Sequence, residues 1–375
     1  SDQEALEALE ALYGRTERWE DLIGVYRKRI ELMEDIADRE KMYAQMAQVY
    51  ETRLGRPSDA IAAYQEVLAL DETSQVALEA LDALYSRQEM WFELADNLES
   101  QLRLAVTDED ELALMLRLGA LRESKMGQIE QAVDIYHQVL TRDMGNESAL
   151  QALERLGSNA DFELMIAEIL EPLYRQTGDY AKLIGVHEVQ VRRTDDPVRR
   201  VELLHQIASL YEDAAGDLSA AFDTLARALA EDPAHEATQE ALDRLARATS
   251  RFSDLAHVFE RLAQAQQDGF LASQLFSMAA KVYEQDLGDV DNAVKHYRKV
   301  LSIDPTSLSA AEALEGLFRG VERYADLSAV LQTKAEIVDD PMEKKTALFQ
   351  AAAIEEEMLN RPEEAIKVYL LALEA

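Results

Sequence analysis

The chain has 375 residues, 48% of them apolar and 7% aromatic, with only 14 Gly and 7 Pro, a composition that excludes a disordered chain and suits ordered helices. Lys plus Arg number 38 against 73 Asp plus Glu, a formal charge of −35. Such a field repels phosphate backbones and anionic lipid, which argues against nucleic acid and membrane insertion, and it speeds encounter with basic partners; acidic faces that only keep a long chain soluble are the alternative.

Along the first 70 residues the apolar positions follow helical spacing. Leu6, Leu9 and Leu12 or Tyr13 form one stripe, and Leu22, Tyr26, Ile30 and Met33 a second. Tyr43, Met46, Ala47 and Tyr50 form a third, and Ala60, Tyr64, Val67 and Leu68 a fourth. Gly55 stands where a left-handed residue closes the third helix, and Pro57 falls in the first turn of the fourth.

The stretch YETRLGRPSDAIAAYQEVLALD, Tyr50 to Asp71, then returns four times, with Ala60 repeated as Ala132, Ala221, Ala293 and Ala365. Gly55, Gly127, Gly216, Gly288 and Asn360 form a parallel series; Asn is the side chain that best tolerates positive φ. Trp19, Trp91, Tyr180, Phe252 and Tyr324 open the second helix of each unit and are expected to pack in the core. Each series steps by 72 residues except once, where Trp91 to Tyr180 spans 89, an excess of 17 located near Asn146 to Phe162. An internal repeat decides architecture first. The pattern predicts an all-α array of antiparallel helical hairpins, about 20 helices in five 72-residue double-hairpin units. Two units occupy 1–146 and three occupy 163–375, with an irregular insertion, or an extra helix, at 147–162.

Residues that could carry chemistry are few. There is no Cys, so thiolate catalysis, disulfides and Cys-based zinc sites are out. Six His are present, and His187-Glu188 and His235-Glu236 begin like H-E-x-x-H, but the fifth residue is Val191 or Gln239. No glycine-rich phosphate loop occurs. Asp195-Asp196-Pro197 and Asp339-Asp340-Pro341 read as turns, and Asn146-Glu147-Ser148 as a helix start capped by Asn146 or Ser148. Neither a catalytic residue, a metal site nor a cofactor is expected, and the chain is read as a non-enzyme. No apolar run approaches the roughly 18 residues of a membrane span. A soluble protein is expected, in the cytoplasm, with the periplasm open because the chain starts at Ser rather than Met. Both ends look cut, the last at LLALEA, so the array reads as a fragment of a longer one.

Hairpins with Tyr283, then Gly288, then Ala293 and Tyr297, and Asp304-Pro305 afterwards resemble the tetratricopeptide repeat. Departures are a turn one residue longer than the family norm, Glu72 and Met144 in place of Pro, and Leu22, Leu94, Leu183, Leu255 and Leu327 where the family has Ala. The acidic paired-repeat style looks like large tetratricopeptide-repeat proteins of bacteria. The resemblance implies a right-handed superhelical solenoid whose concave side presents Lys41, Ala44, Gln48 and Glu51, then Glu202, His205, Ser209 and Glu212, then Gln274, Ser277, Lys281 and Glu284. It implies a protein–protein interaction scaffold taking a protein or peptide with a basic segment. The alternatives are a spacer or self-associating array, motivated by the apolar ends, and an enzyme with a cleft near 146–162.

Overall fold

The structure, a computed structural model, describes residues 2–374, and every regular element among them is a helix. The chain divides into two compact units, the first ending at Ile169 and the second starting at Leu170. None of the described helices is long and apolar enough to cross a membrane.

The first unit holds α1 (Asp2–Arg15), α2 (Trp19–Leu32), α3 (Ile36–Val49) and α4 (Pro57–Leu70) as one pair of hairpins. The second pair is α5 (Gln75–Arg87), α6 (Trp91–Leu104), α7 (Asp108–Leu121) and α8 (Ile129–Arg142). A further helix, α9 (Glu147–Leu156), follows, started by the Asn146 side chain, which accepts from the Ala149 N–H at 3.1 Å. It lies within the 17 residues by which this copy exceeds the period. Helix α10 (Glu163–Thr177) runs across the division.

The second unit continues with α11 (Tyr180–Arg193), α12 (Pro197–Ser209) and α13 (Leu218–Glu231). Then come α14 (Glu236–Thr249), α15 (Phe252–Ala265), α16 (Gly269–Gln285) and α17 (Val290–Ile303). Last are α18 (Leu308–Gly320), α19 (Tyr324–Ile337), α20 (Pro341–Ala353) and α21 (Pro362–Glu374). One core cluster of this unit runs from Ala208 to Ala372, and a second gathers Ile184, Val191, Leu203, Leu204, Ile207 and Ala228.

The long turn of the second hairpins has a definite physical form. Its extra residue is absorbed by widening the end of the preceding helix to π geometry over Tyr50–Leu54, Arg122–Met126, Leu210–Ala215 and Ile354–Met358. At α16 the same widening is one bond, Leu287 N–H to Val282 O at 3.1 Å. All five ends close alike, by Arg56 N–H to Tyr50 O and its counterparts Gln128 to Arg122, Asp217 to Tyr211, Asp289 to Tyr283 and Arg361 to Glu355, at 2.8–2.9 Å. That closure needs a left-handed residue, and Gly55, Gly127, Gly216, Gly288 and Asn360 supply it with φ of 54° to 66°.

First hairpins turn differently. Glu17, Glu89, Ser250 and Glu322 take φ of 56° or 57°, joined by Gly178 at 71°. Each is followed by an amide reaching five residues back, such as Met90 N–H to Tyr85 O at 3.0 Å. A left-handed non-glycine residue is strained by about 1–2 kcal/mol, so four of these turns are held by their surroundings.

Ala60, Ala132, Ala221, Ala293 and Ala365 are all buried, letting neighbouring backbones approach closely. The expectation that the opening aromatics pack in the core holds in part: Phe252 and Tyr324 pack against the core of the second unit, but none of the five is fully buried. Trp19, Trp91, Phe252 and Tyr324 are only half-buried and Tyr180 is 47% exposed. The reason is positional: as the first residue of its helix, each ring lies at the rim of a hairpin. There Arg53 sits 5.1 Å over Trp19 and Lys125 5.1 Å over Trp91. The fully buried positions lie inside the helices, at Leu81 and Leu153 in the first unit and at Leu242, Phe222 and Phe318 in the second.

Candidate protein-binding face

The stripe begun at Lys41 lies on α3. Lys41 and Gln48 are exposed and Ala44 is half-buried, while Glu51 is held by Arg87 of α5. On α12, exposed Glu202 is paired with Arg199 at 2.9 Å and Ser209 donates to Asp213 at 2.9 Å. Half-buried His205 places Nε2 2.7 Å from the hydroxyl of Thr238, which also sits 2.7 Å from Nδ1 of His235. Burial pushes the His205 pKa down from 6.5, and the neighbouring His235 adds to the shift.

Glu212 is gripped in bidentate fashion by Arg244 of α14, with one oxygen at 2.8 Å, and this hydrogen bond holds its carboxyl below the usual range. Glu284 accepts from the Tyr297 hydroxyl at 2.7 Å. The same position elsewhere is Glu123, bound by Tyr136 at 2.9 Å and Arg155 at 2.6 Å, and Glu356, bound by Tyr369 at 3.3 Å. Five glutamates at one repeat position thus join each hairpin to its own second helix or to the next hairpin. The third copy has Leu225 in place of the tyrosine, and there Arg244 alone does the binding.

The structure brings Gln274, Ser277 and Lys281 together on one wall of a cavity of about 690 Å³. Phe270 continues that wall one turn earlier. Facing it are Glu236 and Gln239 of α14, and Asp304, Ser307 and Ser309 where α17 gives way to α18. A second cavity of about 470 Å³ shares Glu236, Gln239, Met278 and Lys281 and extends past Glu240, Asp243 and Arg247. The walls from α14, α16 and α18 all belong to first helices of hairpins.

The first unit has a cavity of about 440 Å³ on the corresponding helices, α5 and α7, closed by the end of α6. Glu79, Asp110 and Arg117 line it, with apolar Leu78, Leu104, Val106 and Leu114. Arg117 is taken up by a bidentate pair with Asp82 at 2.8 and 3.0 Å. Arg247 is likewise shared between Asp243 and Asp286. No ion pair is formed by Glu79, Asp110, Glu236, Glu240 or Asp304 among the described residues.

Residues that the sequence stripe did not include are Phe270, Glu236 and Asp304. Phe270 could have been found by aligning the copies, since Val198, Phe270 and Met342 fall 72 residues apart, four residues before Glu202, Gln274 and Thr346.

Fold and face together define an all-α protein of stacked helical hairpins whose work is done on a surface. Family models described as tetratricopeptide repeat match residues 5–40, 40–74, 113–143 and 273–307, so tetratricopeptide repeats occur in both units of the chain. No curated protein matches it. Among solved structures, the tetratricopeptide-repeat domain of P58(IPK) is 14% identical, with 96% of this chain and 99% of that one covered and a TM-score of 0.25. MamA is 18% identical over 47% of this chain and 96% of its own, at a TM-score of 0.28. The structure titled Naa15/Naa10 bound to HypK-THB is 13% identical over 98% and 68%, at 0.24.

Proposed function

We propose that the protein is a protein–protein interaction scaffold that takes a basic segment of its partner on the face formed by the first helices of its hairpins. The observation that carries this is the division of charge on that face. Its arginines, Arg117, Arg244 and Arg247, are consumed by internal carboxylates, whereas Glu79 and Asp110 in one unit and Glu236, Glu240 and Asp304 in the other form no ion pair among the described residues, and Lys281 is the one lysine that lines the second unit's cavities with them. A Lys or Arg brought by a partner supplies the missing charge, and a net charge of −35 steers it in. Of the stripe predicted from sequence, Gln274, Ser277 and Lys281 line the groove; Glu51, Glu212 and Glu284 serve the scaffold.

The test is a labelled Lys-rich synthetic peptide titrated by fluorescence anisotropy at rising ionic strength. Affinity should fall by about tenfold or more between about 0.05 and 0.5 M salt, as screening shortens the range of the field. Flat affinity removes the basic partner. Glu236→Gln with Asp304→Asn should weaken binding without changing helix content.

A further inference from the structure

Three exposed apolar side chains stand at one repeat position of the second unit: Val198 at 66%, Phe270 at 73% and Met342 at 70% exposure. They are not frayed ends. In each case an aspartate two residues earlier accepts the residue's own backbone N–H: Asp196 from Val198 at 3.0 Å, Asp268 from Phe270 at 2.9 Å and Asp340 from Met342 at 3.2 Å. The first unit has Ala37 and Glu109 at this position, and its caps bond one residue further on, Asp35 to Asp38 and Thr107 to Asp110.

Position along the helix ties Phe270 to the groove. Phe270, Gln274, Ser277 and Lys281 follow the i, i+4, i+7, i+11 course of one helical face, and all four line the 690 Å³ cavity. The same cavity is lined by the carboxylates of Glu236 and Asp304, which form no ion pair among the described residues, against one lysine, Lys281. An apolar patch bounded by uncompensated negative charge fits a ligand that is apolar and cationic within a few residues. A second copy of this chain fits badly, because at −35 it brings carboxylates to carboxylates.

We propose that the groove of the second unit recognises a basic amphipathic segment of a partner protein, with one apolar side chain seated on Phe270 and flanking Lys or Arg residues at Glu236 and Asp304. This rests on the scaffold reading above and adds to it a requirement for an apolar anchor. The anchor confers selectivity among basic segments: a purely polar cationic stretch meets the charge and leaves the ring wet.

The experiment uses the full chain and two labelled synthetic peptides of equal length and equal Lys content, one with Leu at helical spacing between the lysines and one with Ser in those places. The Leu peptide should bind about tenfold tighter or better. Phe270→Ser should remove that preference and leave affinity for the Ser peptide unchanged, and Phe270→Leu should restore it. Glu236→Gln with Asp304→Asn should weaken both peptides. A preference that survives Phe270→Ser overturns the anchor while leaving the basic-segment scaffold standing. Absence of salt-sensitive binding by either peptide sinks both readings. A Leu peptide with Gln in place of Lys that binds equally well overturns the charge requirement. If sedimentation of the wild type shows a dimer that Phe270→Ser abolishes, the row is a self-association surface and the inference fails. Circular dichroism checks that Phe270→Ser keeps its helix content, and Met342→Ser, at the equivalent position outside the cavity, should leave the peptide preference unchanged.

Discussion

The two units share a scaffold and differ in what they display. In both, a glutamate at the widened helix end is satisfied by a tyrosine or arginine, a buried alanine lets the hairpin close, and a left-handed residue ends the helix. On the exposed face at the start of the same helix, the first unit carries Ala37 and Glu109 while the second carries Val198, Phe270 and Met342. Its histidines also differ: only His137 lies in the first unit, and the other five lie in the second. Chemistry that repeats in every copy holds the array together, and chemistry confined to one unit is available for recognition.

If the scaffolds are equivalent, equivalent core changes should cost the same. Leu81→Ala in the first unit and Leu242→Ala in the second, at matching positions, should each lose about 2–5 kcal/mol of stability. Denaturant unfolding followed for each unit measures this. A change felt in only one of them would break the comparison.

The next effect is smaller. Gly127→Ala and Gly288→Ala have open space around the added methyl but positive φ, so each should lose about 1–2 kcal/mol. Conversely, Glu89→Gly and Ser250→Gly, which relieve a left-handed non-glycine residue, should gain up to about 1 kcal/mol in thermal or denaturant unfolding. No gain would mean that the first-hairpin turn draws on a side-chain contact.

The smallest effect should separate the units. Burial holds the folded pKa of His205 below 6.5, so as the pH drops below 6.5 the unfolded chain takes up the proton before the folded one. Stability is complete above 6.5 and is lost as the pH falls toward the folded value. Hydrogen exchange at about pH 7.5 and about pH 5.5 should show the region around α12 and α14 opening more readily in acid, with the first unit unchanged. His205→Gln should remove the difference.

These contrasts indicate which features could be read from the sequence. Helical spacing, the 72-residue period and the glycine series have local causes, and they map onto helices and left-handed ends. The left-handed turns at Glu17, Glu89 and Glu322 were not legible, because a glutamate carries no signal for positive φ; only their alignment with Gly178 hints at it. Ring size alone assigns the opening aromatics to the core, yet the first residue of a helix sits at a rim, from which Phe252 and Tyr324 reach the core only in part. For the face, Gln274, Ser277 and Lys281 could be placed by periodicity. The engagement of Glu51, Glu212 and Glu284 depends on partners 13 to 36 residues away, which spacing within one helix does not reveal. Their identity in every copy was the available clue.

The widened helix ends bear on how such a chain can change length. A wide end and a narrow end alternate along the array, since only the second hairpin of each pair carries the extra residue. The molecule is therefore modular in pairs of hairpins. Removing or duplicating 72 residues preserves the alternation of ends, whereas removing a single hairpin sets two ends of one kind side by side and strands a glutamate from its arginine.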